Sequence, residues 1–421
     1  MFYDYNGDLL DVYPSIVGDG VTDDTDALQA LFDTYSSVRL PSDLRIKITN
    51  TVTIDTSKCF LFDGGGSTIL LSGNIVGFEV SGSLVSGMTA DPDTLSNDIK
   101  NKEAGFIFRN VKIQGEESGT GIVLDSCFKP TINGCYLHHL NTGIELKNIC
   151  RDVNILGNQI YDMQLYGIHF DKTSNLHQIN VDGNIITYCY HCIFIDKSDY
   201  IANLQIVGND IEIHEKPDTS TKELHRCIMI DTGVDSQSVT NNLKEIVIVG
   251  NTLQGHSKSE AIIEVIKDVN PTRMLENVTI NSNHISNSIS ELISLTNTQK
   301  ATINGNTFDV ATNYAVLIGS SCHVLSISGN TCVNCGGFIK HTGSTNRLNI
   351  TNNLSNTTKA DPFNVIGSNV TNGMILGNVV SGSNPSVTVN PSSVTRVMVS
   401  NNICGTGTYT LHNDVTASNN V

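Results

Sequence analysis

Along most of the chain, apolar and polar residues alternate with a period of two, in short runs closed by Gly, Asn or Asp. Alternation of that kind marks strands with one buried face. The runs are also alike. One recurs as Gly121-Ile-Val-Leu-Asp125, Gly143-Ile-Glu-Leu-Lys147 and Gly167-Ile-His-Phe-Asp171, and continues as Cys192-Ile-Phe-Ile-Asp196 and Cys227-Ile-Met-Ile-Asp231. A second recurs as VNILGN, INVDGN, LQIVGN, IVIVGN, VTINSN, ATINGN, LSISGN, LNITNN and GMILGN, closing on Asn158, Asn184, Asn209, Asn251, Asn283, Asn306, Asn330, Asn353 and Asn378, with Asn402 next. Successive members of this column lie 26, 25, 42, 32, 23, 24, 23, 25 and 24 residues apart.

A period near 24 residues is too short for helix-pair repeats and is filled by three short strands and three turns. The pattern predicts an all-β chain, a right-handed parallel β-helix of about 12–14 coils with three strands per coil. Each coil packs only on its neighbours, so the core grows along one axis and a chain of 421 residues need not divide into ordinary domains. The Asn column has a structural reading. Asn tolerates the left-handed backbone of sharp turns, and amides stacked about 4.8 Å apart can hydrogen-bond along the axis.

Residues 1–58 read differently. The run GDGVTDDTDALQALFD places Thr22 or Asp23 as a helix N-cap, followed by an apolar stripe of Ala27, Leu28, Leu31 and Phe32. The next run, VRLPSDLRIKITNTVTI, reads as strands. A short amphipathic helix over an open coil end covers strand edges that otherwise invite aggregation. The chain is therefore divided into an N-terminal cap, 1–58, and a parallel β-helix, 59–421.

Composition narrows the function. Charged residues make up 16% of the chain, Trp is absent and the net charge is −17. That charge argues against nucleic acid as a partner, whose binders carry basic patches. It also argues mildly against a strongly anionic substrate, unless a metal or a local Lys/Arg cluster offsets the repulsion. The eleven Cys are odd in number and sit in apolar strand contexts, as reduced, buried thiols would. The pairs Cys189/Cys192 and Cys332/Cys335 have CxxC spacing but lack the second half of a zinc site. The opening MFYDYNGDLLDVYP has neither a basic start nor an apolar run, so no signal peptide is read, and no stretch reaches membrane-span length. Folding in a cytoplasm, without membrane insertion, is the expectation.

In each G-I-x-L-D line the apolar residues point inward, leaving two exterior columns. One runs Val123, Glu145, His169, Phe194, Met229; the other runs Asp125, Lys147, Asp171, Asp196, Asp231. Stacked carboxylates repel, which should raise at least one pKa. Such a row suggests function, although Asp also ends strands by bonding its carboxylate to the following amides; both readings stay open. The widest spacings put long loops beside these strands, at 212–226, 231–242 and 256–260, where sites tend to lie.

The run Gly18-Asp-Gly-Val-Thr-Asp-Asp-Thr-Asp-Ala27-Leu28, with Arg39-Leu40-Pro41 and the Gly64-Gly-Gly-Ser-Thr-Ile turn, resembles the opening of the pectate-lyase-like β-helix superfamily. That group includes polygalacturonase-type glycosidases, polysaccharide lyases, epimerases and phage tailspike depolymerases. The chain lacks the paired-Asp plus Gly-His-Gly signature of polygalacturonases and an evident calcium-binding Asp cluster with a strand Arg. It looks most like a phage tail protein, which implies a homotrimer acting on a virion or outside the cell.

Glycoside hydrolysis needs one carboxylic acid and one carboxylate, about 5–5.5 Å apart for retention and 6.5–9.5 Å for inversion. Asp171 and Asp196 are the expected central pair, with Glu145 or Asp231 as the other partner. His169, Lys172, Lys197, Tyr166, Tyr190, His191 and Arg226 are the expected substrate contacts, and no metal or cofactor is required. Two other readings stay open. One is a lyase with Lys147 as base and calcium in the Asp column. The other is a spike that grips a surface glycan receptor without cutting it.

Overall fold

The computed structural model describes residues 15–84, 105–213, 225–233, 243–256, 259–266, 274–358, 363–367, 369–382, 386–404, 408–413, 415–418 and 420. The opening run 1–14 and parts of the loops at 212–226, 231–242 and 256–260 lie outside them. Strands pair in parallel, each with the equivalent strand of the next coil, and the fold is a nearly all-β parallel solenoid with a single short helix among the described residues. The chain forms two compact units, 1–205 and 206–421. No helix of the described residues is long and apolar enough to cross a membrane.

In the first unit the helix is Thr25–Thr34, its N-cap being Asp24, two residues beyond the expected Thr22 and one beyond the expected Asp23. The shift has a cause. Asp24 spends its carboxylate on the amides of Val17 and Gly18, at 2.8 and 2.9 Å, while the Asp23 carboxylate takes the amide of Thr25. Leu28, Leu31 and Phe32 are buried. Phe32 meets Phe62 edge-on at 5.2 Å, and Phe62 and Phe78 each continue to Phe108, so the helix is anchored on an aromatic stack inside the first coils.

The earlier coils of this unit carry the three expected strands, as Leu61–Asp63, Thr68–Leu71 and Val76–Ser81, and from Tyr136 onward two of the three run on as one. A 12-residue strand such as Tyr136–Lys147, Gln159–Phe170 or Ile185–Asp196 covers two faces by bending in the middle; the third face is an 8-residue strand such as Ile149–Leu156 or Asn175–Asp182. The bends fall at His139, Asp162 and Tyr188, which have φ of 54, 59 and 60°. A left-handed backbone at Tyr is uncommon for so bulky a residue. Beyond the bend the register is Ile122↔Ile144↔Ile168↔Ile193 inside the coil and Val123↔Glu145↔His169↔Phe194 outside it.

The second unit repeats the plan, with bent strands Thr307–Ile318 and Thr331–His341. Its spine is the Asn column. From Asn251 onward each backbone N–H and each side-chain amide donates to Oδ1 of the next Asn, as from Asn251 to Asn283 at 2.9 Å for both, through Asn306, Asn330, Asn353, Asn378 and Asn402 to Asn420. The amide ladder is as the sequence predicts, but its backbone reason is corrected. The left-handed φ belongs to the preceding residue, Gly250, Ser282, Gly305, Gly329, Asn352, Gly377 or Asn401. The column Asn itself turns inward and is buried. None of the eleven Cys forms a disulfide and all are buried; burial pushes the Cys59 thiol up to about 11 and the Cys135 thiol to about 12.

Candidate functional site

Three successive rungs of the first unit place Glu145, His169 and Phe194 in one outward column, because each occupies the x position of its G-I-x-L-D or C-I-x-I-D line. His169 is the centre. Its Nδ1 lies 3.5 Å from Glu145 Oε1 and its Nε2 3.6 Å from Asp196 Oδ2, so one imidazole bridges carboxylates two rungs apart. Lys147 Nζ stands 3.5 Å from Glu145 Oε2. The His169 side chain is only 9% exposed, against 14% for Glu145 and 29% for Asp196, so substrate would reach the carboxylates before the ring. Burial opposes a charge on the ring, but its contacts with Asp196 and Glu145 outweigh this and hold its pKa above the usual histidine value.

Aromatic rings pack around this bridge. Tyr166 stacks on His169 with centroids 4.4 Å apart and meets Phe194 at 5.2 Å, while His191 lies nearly parallel to Tyr166 at 6.1 Å. Tyr190 is buried and meets His191 edge-on at 4.5 Å. Of the expected contacts, His169, Tyr166, His191 and Tyr190 therefore form one cluster.

Asp171 behaves differently from the expectation of a stressed carboxylate. Its Oδ1 accepts from the Thr173 amide and hydroxyl, at 2.9 and 2.7 Å, which is the turn-forming role. Burial pushes its pKa up, but the Thr173 bonds and the charges of His169 and Lys147 outweigh it, and the net shift is downward. The predicted upward shift from stacked Asp residues is thus reversed at Asp171. Lys172 is exposed in the same turn, and Lys197 is half-buried with φ of 48°.

Arg226 and Asp231 belong to the second unit. Arg226 is buried and engages Glu264, and lies 3.5 Å from Glu260; Asp231 accepts from the Gly233 amide at 2.8 Å. Sequence reading missed Glu264 as a partner. The signal was available, since Glu264 occupies the outward position after Met229, paired with it in register.

Glu145, His169 and Asp171 each offer a ligand atom, all within 4.8 Å of one another. One nitrogen and two carboxylates suit a borderline divalent ion better than calcium, which takes six to eight oxygens. These residues do not make a calcium cage.

Among curated proteins, no match was found. Among solved structures, the fold is similar to a variant of the tailspike protein of E. coli bacteriophage HK620 in complex with a hexasaccharide. The TM-score is 0.64 at 11% identity, covering 98% of this chain and 78% of that one. A second variant of that tailspike, in complex with a pentasaccharide, gives a TM-score of 0.55 at 13% identity, covering 99% and 79%. At such identities the likeness is one of fold. The family model described as a right-handed β-helix region matches residues 45–265, which fixes the hand of the coil, and over more than half its length the chain belongs to the right-handed β-helix family.

Proposed function

We propose that the protein is a glycoside hydrolase that depolymerises a cell-surface or extracellular polysaccharide, with Glu145 and Asp196 as its carboxyl pair. The observation that carries this reading is the imidazole of His169 held between those two carboxylates. Their strands are two rungs apart, about 9.6 Å at the backbone. Each carboxylate reaches the ring between them, at 3.5 and 3.6 Å, and a pair spanning a ring matches the wide spacing of inversion, about 6.5–9.5 Å, better than that of retention, about 5–5.5 Å.

The trio also holds one proton where the chemistry needs it. An imidazolium between two carboxylates carries the same net charge as a neutral imidazole beside one carboxylic acid and one carboxylate. In the second form the acid protonates the glycosidic oxygen as the C–O bond breaks, while the carboxylate takes a proton from the attacking water. Asp171 is placed in a supporting role, setting the turn beside His169. Tyr166, half-buried above the packed rings, supplies a flat face against which a sugar can stack. The likeness to tailspikes solved with oligosaccharides supports a glycan as partner, and under this reading the protein works as a homotrimer on a virion.

The test is to incubate the full chain with a panel of bacterial surface polysaccharides and size the products. Shortened chains with inverted anomeric configuration, lost about a thousandfold or more in Glu145→Gln and in Asp196→Asn with circular dichroism unchanged, bear the reading out. Products absorbing in the ultraviolet indicate the lyase instead, with Lys147 as base. Polymer retained on the protein at full length indicates the non-cutting receptor spike.

A further inference from the structure

A cleft lies in the first unit, outside the Glu145–His169–Asp196 bridge. It encloses about 650 Å³ and is lined by Arg39, Asp63, Asn110, Lys112 and Tyr136 over the floor of the Gly65–Gly66 turn. Register builds it. Arg39, Asp63 and Arg109 are Cα partners on three successive rungs, and Lys112 and Tyr136 are partners on the adjoining face.

Asp63 is buried, and its ionised state is well supplied. Arg109 reaches its Oδ2 through Nε at 3.1 Å and Nη2 at 3.0 Å, and Oδ1 accepts from the Gly65 amide at 3.1 Å and Asn110 at 3.3 Å. That balance is complete without the other two cations. Arg39 touches Asp63 through one nitrogen at 3.3 Å and stays 57% exposed. Lys112 is exposed and has no ion-pair partner among the described residues. A chain of net charge −17 thus keeps two surplus cations over one cleft. The floor is bare as well: a Cβ at Gly66 would meet nothing within 4 Å. At the rim, Tyr136 stacks on His138 at 4.5 Å and 18°, extending a flat ring surface from the cleft.

Two surplus cations, an open glycine floor and an adjacent aromatic plate match a sugar that carries an anionic group. Cations hold the anion and the ring face takes the apolar side of the pyranose. We propose that this cleft is a second binding subsite, for a sugar residue bearing a carboxylate or a phosphate ester. The inference rests on the carbohydrate reading above but not on cleavage, since Arg39, Asp63 and Lys112 lie on earlier strands than Glu145 and Asp196, and Tyr136 lies before the bend of its strand and Glu145 after it.

Titration of the full chain with D-glucuronate, glucose 6-phosphate, D-glucose and inorganic phosphate, followed through the amide resonances of Gly66 and Gly134, tests it. Both acidic sugars are expected to shift these resonances saturably and D-glucose not to. Lys112→Gln and Arg39→Gln should each weaken binding about fivefold, the effect of one unit charge near 4 Å in water. Equal response to glucose, or unchanged affinity in both variants, overturns the subsite. Inorganic phosphate binding as tightly as glucose 6-phosphate overturns the sugar component. Failure here with intact polymer cleavage removes only this cleft, whereas binding here without any cleavage removes the hydrolase reading instead.

Discussion

Replacing Asn306 by Ala removes one rung of the amide ladder from the second unit. Its Oδ1 accepts from the Asn283 amide at 2.9 Å and the Asn283 side chain at 3.0 Å; its Nδ2 donates to Ile280 O at 2.9 Å and to Asn330 Oδ1 at 3.0 Å. All these groups are buried, and a net contribution of about 1 kcal/mol each gives a loss of about 4 kcal/mol. The stranded backbone N–H of Asn283 pushes the figure upward, since a buried donor without an acceptor is costly. Asn306→Asp keeps the acceptor but turns a second oxygen against Ile280 O and Asn330 Oδ1, so it should be worse than Ala at neutral pH and recover as the carboxyl is protonated. Asn356 is exposed on a strand, and Asn356→Ala should change stability by no more than about 0.5 kcal/mol. The assay is urea unfolding followed by circular dichroism, with exchange of the Asn283 amide as the local readout. A coil array does not unfold as one unit, so the exchange rate of that amide is the deciding measurement. If Asn306→Ala lies within about 1 kcal/mol of the wild type, or the Asp variant matches Ala at neutral pH, the ladder is an ornament of the turn and not its support.

Two buried histidines should give pH dependences of opposite sign. His341 is fully buried and burial lowers its pKa to about 4. The unfolded chain therefore binds a proton that the folded one refuses, and stability falls by about 3 kcal/mol as pH drops from 6.5 toward 4. His341→Leu should abolish that part of the urea-midpoint slope. His169 has a raised pKa, so its contribution is fully present below the unfolded value and is lost as pH rises through the folded one. His169→Gln should destabilise the protein more at pH 5.5 than at pH 9, and a difference independent of pH refutes the ion bridge.

The coil plan was legible because it rests on a local rule repeated many times: alternation with period two, then a turn ending in Asn. The backbone cause of that turn was not legible. A Gly-Asn pair does not say which member takes the left-handed φ, and only the inward amide, which needs a buried partner above and below, decides that it is the Gly. The alignment of Arg39, Asp63 and Arg109 was not legible for another reason. They stand 24 and 46 residues apart, in coils whose lengths differ too much for a fixed repeat to align them.

The candidate site shows the limit most clearly. Aligning the lines makes Asp171 and Asp196 equivalent, yet only Asp196 reaches His169 from the strand end, and the difference lies in the turn that follows. Asp171 is followed by Lys172, Thr173 and Ser174, and Asp196 by Lys197 and Ser198. The hydroxyls of Ser174 and Ser198 meet at 2.8 Å inside the coil, which marks them as equivalent and makes the second turn one residue shorter. Thr173, whose amide and hydroxyl capture the Asp171 carboxylate, thus has no counterpart after Asp196. The shorter turn compensates through a left-handed Lys197, and the Asp196 carboxylate turns to the imidazole beside it. Column position brings acids to the same wall; whether each one closes its own turn or faces a neighbour is settled by a single residue in the loop.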